Sequence, residues 1–185
     1  ESARFVSDRE FWLSQVMDGA EPPRLLPAAT GEGGAPELAT VEIGGDDADR
    51  LYTFAAESGI RRTRLPMAVL VAYLHRITGQ RDLTVSLPMT ARVGREMRSI
   101  PGMASTILPL RVQVDPSTTV VELAKRVDAT LVSALRHGRY RGEDLARDVR
   151  GIDPDRQVFG PGVNSMMFET PLTLGEATTS VHNSA

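Results

Sequence analysis

Helical and strand periodicities alternate along this chain. Phe11, Trp12 and Val16 mark the apolar side of a first helix. Ser7 and Glu10 stand at capping-box spacing, where hydroxyl and carboxylate satisfy free backbone donors reciprocally, and Val6 with Phe11 fits the hydrophobic staple around such a cap. The helix is expected to stop before Gly19 and the Pro22-Pro23 pair. Residues 21–37 hold four prolines and three glycines and predict an exposed loop. Residues 38–44 predict a short strand with Val41 and Ile43 on one face. Asp46 or Asp47 can then cap a helix carrying Leu51, Phe54 and Ala55 and closed by Gly59. From about Thr63, the positions Met67, Leu70, Val71, Leu74 and Ile77 keep helical spacing as far as Gly79.

The period then changes to two. Leu83, Val85, Leu87 and Met89 alternate with polar residues and predict a strand whose end, at Pro88, lies near an edge or bulge. Residues 90–104 show no period and predict a loop. Leu108, Leu110, Val112 and Val114 predict a second strand, with Pro109 arguing against full ladder pairing in its first half. Thr119 and Glu122 form another capping box ahead of the longest helix, marked by Val120, Leu123, Val127, Leu131 and Leu135 and ended at Gly138. A shorter helix is expected over 142–149. A Gly160-Pro161-Gly162 turn leads into a strand over 163–168, and a weak strand covers 178–181. Strands and helices in mixed order predict an α/β fold, a mixed sheet covered by helices.

Apolar residues make up 41% of the 185, enough to build a core, and the net charge of −3 offers no concentrated basic face for nucleic acid. Arg61, Arg62 and Arg64 are the densest basic group and read as a solvated helix approach or, alternatively, a phosphate site. With no cysteine, a disulfide framework, a zinc–thiolate site and a cysteine nucleophile are excluded. No apolar run approaches the roughly 18 residues needed to span a bilayer. Neither terminus carries a signal sequence or a charged tail, and both predict excision from a longer chain.

Chemistry-bearing motifs are sparse. Gly31, Gly33 and Gly34 lack a P-loop lysine and a strand-turn-helix setting, so a flexible loop is the plainer reading. The histidines are His75, His137 and His182, and none lies beside another. His75 reads as a structural helical residue. His137 ends the longest helix, where a cation complements the dipole, and general-base catalysis is its other reading. Glu143-Asp144 and Asp153-Pro154-Asp155 fit helix starts and turns better than a metal site.

Collinear segments carry a resemblance. They are FVSDREFW (Phe5 to Trp12), LHRITGQRD (Leu74 to Asp82), LPMTAR (Leu87 to Arg92), PGMASTILPLR (Pro101 to Arg111), HGRYRGEDL (His137 to Leu145) and FGPGVNSMMF (Phe159 to Phe168). Together they resemble the condensation domains of nonribosomal peptide synthetases, with Thr106 standing where that family commonly has Asn. The resemblance implies a chloramphenicol-acetyltransferase-like lobe. Residues 1–20 would be the end of a first lobe or an inter-lobe helix, and 38–185 most of a second lobe.

A complete domain of this family joins two lobes around a tunnel, into which carrier domains deliver thioesters on phosphopantetheine arms. Its HHxxxDG loop serves the attacking amine, and no such motif occurs here. The resemblance therefore implies that this piece alone is inactive and catalytic residues are expected to be none. It implies carrier and adenylation domains and a missing N-terminal lobe as partners, no directly bound cofactor or metal, and a cytoplasmic setting. Candidate tunnel residues are Arg92, Ser105, Asn164, Met166 and Phe168. Arg92 suits a lobe-bridging ion pair or a thioester-orienting role. Ser105 and Asn164 suit substrate contact or a purely structural bond. Met166 and Phe168 share the face of Asn164 by strand alternation. A non-catalytic carrier-docking module and a coenzyme A-dependent acyltransferase of the same fold stand as alternatives.

Overall fold

The computed structural model describes residues 2–25, 38–90, 92, 99–101 and 104–165. Its first helix, α1 (Ala3–Met17), starts one turn earlier than the capping-box reading predicts. Ser2 is the N-cap, its hydroxyl accepting from the Phe5 amide at 3.3 Å, so Ser7 and Glu10 lie inside the helix. An acceptor one turn upstream lets the helix add that turn. Trp12 and Val16 are buried in the core, and α1 ends at Asp18 as expected.

The predicted strand over 38–44 is not formed. Leu38, Val41 and Ile43 are 78%, 82% and 61% exposed. Alternation supplies a strand's faces but not its partner, and no described strand lies beside this segment. Helix α2 (Gly45–Glu57) follows, with Gly44 at the N-cap and Asp46 and Asp47 in the first turn, where carboxylates complement the helix dipole. A 3₁₀ turn (Arg62–Arg64) precedes α3 (Leu65–Thr78). Gly79 closes α3 in the left-handed region, at φ +70°. Met67, Val71 and Leu74 are buried as the spacing predicts, whereas Ile77 is exposed.

Strands β1 (Asp82–Thr90) and β2 (Ser105–Gln113) pair antiparallel, from Asp82 opposite Gln113 to Thr90 opposite Ser105. Leu83, Val85, Leu108, Leu110 and Val112 fill the core. The ladder is unbroken at Pro109, contrary to the sequence expectation. Its partner Ser86 directs its N–H to Pro161 O at 2.9 Å, away from β2. Ser86 and Pro109 are therefore a non-hydrogen-bonded pair, and the donor proline lacks would have faced away from β1.

Gly160-Pro161-Gly162, expected as a turn, lies along the other side of β1. Gly162 bridges Ser86 in parallel, and the Ser86 hydroxyl donates to Gly160 O at 2.6 Å. A Cβ at Gly160 would sit 2.7 Å from Thr84 O, and one at Gly162 would sit 2.7 Å from Ser86 O. Only glycine allows this approach. Residues 163–165 form no strand, and the rest of that predicted strand and the one over 178–181 lie outside the described residues.

Helix α4 (Val120–Arg136) carries the predicted capping box, with Thr119 N to Glu122 Oε2 at 2.8 Å and Glu122 N to Thr119 Oγ1 at 3.2 Å. Leu123, Val127 and Leu131 face the core, and Val120 and Leu135 do not. Helix α5 (Gly142–Ile152) runs three residues beyond the expected end. Helices α3 and α4 pack together against the sheet, while α1 and α5 pack on each other and on β2.

Candidate functional site

Two cavities open at the same end of the sheet. The larger, about 790 Å³, lies between β2 and α5 and is lined by Ser105, Thr106, Ile107, Gly142, Glu143, Ala146, Arg147, Arg150, Phe159 and Pro88. The smaller, about 240 Å³, lies between α3, α4 and β1 and includes Arg64, Met67, Leu87, Leu131, Asn164 and again Pro88. Pro88, at the end of β1, thus lines both.

The structure builds the larger cavity from one tight junction. Thr106 is buried, and its hydroxyl accepts the Gly142 amide at 2.9 Å. It serves the first turn of α5, where no side chain of the preceding residues caps the helix. A Cβ at Gly142 would lie 1.9 Å from Ile107 O, so glycine alone lets the helix start meet the strand. Thr106 thus holds the start of α5 to β2 through its hydroxyl. Past this junction α5 presents Arg147 and Arg150 to the cavity. Arg147 pairs with Asp144 at 2.8 Å, and Arg150 Nε donates to Ala146 O at 3.1 Å. The lining is apolar around Ile107, Ala146, Pro88 and Phe159, with Arg147, Arg150 and Glu143 beside it: a cleft shaped for an extended chain with polar groups along one side.

Behind the cavity, α5 is tied to α1. Asp148 Oδ2 accepts both from Arg9 Nε and from the Tyr140 hydroxyl, each at 2.5 Å. The Tyr140 bond and the Arg9 guanidinium hold the Asp148 carboxyl below the ordinary carboxylate range. Burial, reinforced by the bond to Asp148, pushes the Tyr140 phenol up to about 12. Nearby, His137 Nδ1 lies 2.9 Å from Asp8 Oδ1, its ring stacks on Phe11 at 4.0 Å, and its carbonyl accepts from Trp12 Nε1 at 2.9 Å. His75 Nδ1 meets Gln80 O at 2.7 Å. Each described histidine makes its contact through Nδ1, and no group of three or more His, Asp or Glu among the described residues is placed to hold a metal.

The candidates named from sequence separate. Ser105 lines the larger cavity and Asn164 the smaller, both exposed. Arg92 donates from its backbone to Thr90 Oγ1 at 3.3 Å and from its guanidinium to Ile100 O, so it ties the end of β1 to Ile100. Met166 and Phe168 lie outside the described residues. Sequence reading missed Pro88, Thr106 as a tether, Gly142, and the Arg147/Arg150 pair. The last was legible as two arginines three apart on a strongly amphipathic helix.

An α/β lobe, sheet covered by helices, with two cavities meeting at one strand end, defines the class. The Condensation domain family matches residues 1–181, and the chain belongs to that family, with its chloramphenicol-acetyltransferase-like fold. The isonitrile lipopeptide synthase of Streptomyces coeruleorubidus is 37% identical over 99% of this chain and 12% of its own length. The dimodular nonribosomal peptide synthase of Bacillus subtilis (strain 168) is 31% identical over 98% of this chain and 8% of its own. A solved first condensation domain of the calcium-dependent antibiotic synthetase, in complex with a substrate analogue, superposes with a TM-score of 0.81 at 35% identity, covering 93% of this chain and 39% of that one. The chain therefore spans about an eighth or less of these synthetases and about two fifths of the solved domain.

Proposed function

We propose that these residues form one wall of a condensation tunnel, in which an amine on one carrier arm attacks a thioester on another to make an amide bond. The supporting observation is the pair of cavities meeting at Pro88, one reached past Ser105 and the cations of α5, the other past Asn164. Two arms entering from opposite sides would meet at the end of β1. The wall supplies orientation, which holds the reacting atoms together, and a lining that limits water. The base or amine-positioning histidine comes from the first lobe, since neither His75 nor His137 lines either cavity. Alone, the 185 residues make no amide bond. On this reading residues 1–20 are the end of the first lobe or a helix between the lobes, and 38–185 make most of the second. The partners are the first lobe, the adenylation domain and two phosphopantetheine-bearing carrier domains. Arg147 and Arg150 form the docking face for one of the carriers. The reading places the assembly in the cytoplasm; no helix among the described residues is long and apolar enough to cross a membrane.

The test is product formation by a condensation domain containing this chain, supplied with loaded donor and acceptor carriers. Ser105→Trp fills the larger cavity and is expected to abolish turnover while leaving the fold intact. Arg147→Glu with Arg150→Glu is expected to raise KM for one carrier with kcat little changed. Full activity of Ser105→Trp, or turnover with free coenzyme A thioesters but not with carriers, overturns the reading.

A further inference from the structure

A third cleft lies on the far side of Arg64 from the smaller cavity. It measures about 260 Å³ and is lined by Gly59, Ile60, Arg61, Arg64, Ala124, Lys125 and Asp128. Three cations from two elements line it together with one carboxylate. Asp128 is taken by Arg64, Oδ1 to Nε at 2.8 Å, with both side chains partly buried. Arg61 and Lys125 have no carboxylate within ion-pairing distance among the described residues. Glu122, one turn back from Lys125, is hydrogen-bonded to the Thr119 cap, and Lys125 acts on it only through charge. Arg62 points elsewhere, its guanidinium 4.2 Å from the centre of the Tyr52 ring. The cleft thus sets three cations against one carboxylate, on a chain whose net charge is −3.

We propose that this cleft binds a phosphate group. Two cations match a dianion in charge. They approach from two elements, the 3₁₀ approach to α3 and the second turn of α4, which suits a tetrahedral anion better than a flat carboxylate. Arginine supplies a planar fork and lysine a compact point charge, a common combination at phosphates. Arg64 lines both this cleft and the cavity holding Asn164, so a phosphoester bound here can extend its organic part along the α3–α4 side toward Pro88. The site does not depend on the chain being part of a peptide-forming enzyme.

The experiment is a titration of the ¹⁵N-labelled chain with inorganic phosphate, 4′-phosphopantetheine and unphosphorylated pantetheine, read from amide shifts at residues 61–64 and 125. Saturable binding of inorganic phosphate is expected. Arg61→Gln with Lys125→Gln should weaken it by about tenfold or more, and both side chains are exposed, so the fold is expected to hold and circular dichroism checks it. Arg147→Gln with Arg150→Gln should change it by less than about twofold, the cations lying in a different cavity. Asp128→Asn should tighten it several-fold by freeing Arg64, a gain that damage to the fold would not produce. Phosphopantetheine binding about tenfold tighter than phosphate identifies a carrier arm as the source, and equal affinity identifies free phosphate; either supports the site. Non-saturable shifts, indifference to the double substitution, or equal binding of unphosphorylated pantetheine overturns it.

Discussion

His137 Nδ1 and Asp8 Oδ1 lie 2.9 Å apart, joining positions separated by 129 residues. Asp8 is 2% exposed, and its second oxygen is buried without a hydrogen-bond partner among the described residues. One bond therefore carries the whole polar compensation of a buried acid. Removing its partner leaves that acid unpaired in an apolar setting formed by Phe11 and Trp12. His137→Ala is expected to destabilise the chain by about 1–3 kcal/mol, the range for leaving a buried polar group without its hydrogen bond. Asp8→Asn should cost less, because the amide oxygen still accepts from the ring. Urea unfolding midpoints check both, and a His137→Ala loss below about 0.5 kcal/mol would rule the compensation out.

The Arg9–Asp148–Tyr140 cluster predicts how stability responds to pH. Asp148 has a lowered carboxyl pKa in the folded chain, caused first by the Tyr140 bond and then by Arg9. Its contribution is present above the unfolded carboxylate pKa of about 4 and is lost as pH falls through the lower folded value. Tyr140 behaves oppositely. Its folded pKa is raised to about 12, chiefly by burial, so its contribution is full below the unfolded value of about 10 and is lost as pH rises from there toward 12. Tyr140→Phe is expected to lower stability at neutral pH, by roughly 2 kcal/mol, and to weaken the dependence on pH at both extremes. Denaturant midpoints measured from pH 2 to 12 test this. Unchanged acid and alkaline limbs in the variant would assign the pH dependence to other groups.

The elements were legible where local pattern and local chemistry agree. Thr119 with Glu122, Gly79 after a helical run, and the alternation of Leu83 to Met89 all act within one turn or one strand, so sequence determines them. The segment 38–44 failed because alternation does not reveal whether a strand has a neighbour, and here Val41 and Ile43 face solvent. Ser7 misled because a capping box is equally readable inside a helix when a better acceptor, Ser2, lies one turn earlier. Of the candidate site, Ser105 and Asn164 were named through resemblance and each lines one of the two cavities. Pro88 as the shared wall and Gly142 as the contact point were not, because each depends on a meeting of residues far apart in sequence.

Arg156 fastens the end of α1. Its Nη2 donates to Val16 O at 2.6 Å and also to Gly19 O, supplying donors to carbonyls that the helix leaves unsatisfied at its C-terminus. Arg111 reinforces the same corner, chelating Asp82 through Nε and Nη2 while donating to Asp18 O at 3.2 Å. Both Arg156 bonds leave from the one nitrogen Nη2, so what a lysine loses here is the reach of the longer guanidinium side chain. Arg156→Lys is expected to cost about 1–2 kcal/mol and to speed amide exchange in the last turn of α1, with exchange in α4 unchanged. Uniform acceleration across α1 and α4 would show instead that the substitution loosens the whole core.

The Thr106–Gly142 junction gives the most local prediction for the larger cavity. Thr106→Val keeps the shape and removes the acceptor, leaving the buried Gly142 amide unpaired at a cost of about 1–3 kcal/mol. Thr106→Ser keeps the hydroxyl and should cost well under half as much. Gly142→Ala forces a methyl to within 1.9 Å of Ile107 O, which only a retreat of α5 from β2 can relieve. That retreat would carry Arg147 and Arg150 with it, because both ride on the same helix. Gly142→Ala should therefore reduce condensation by a domain containing this chain more than its loss of stability explains, whereas Thr106→Ser should leave both nearly intact. Stability and turnover measured together decide it. If Gly142→Ala folds with unchanged stability and full turnover, the close contact between α5 and β2 does not set the cavity.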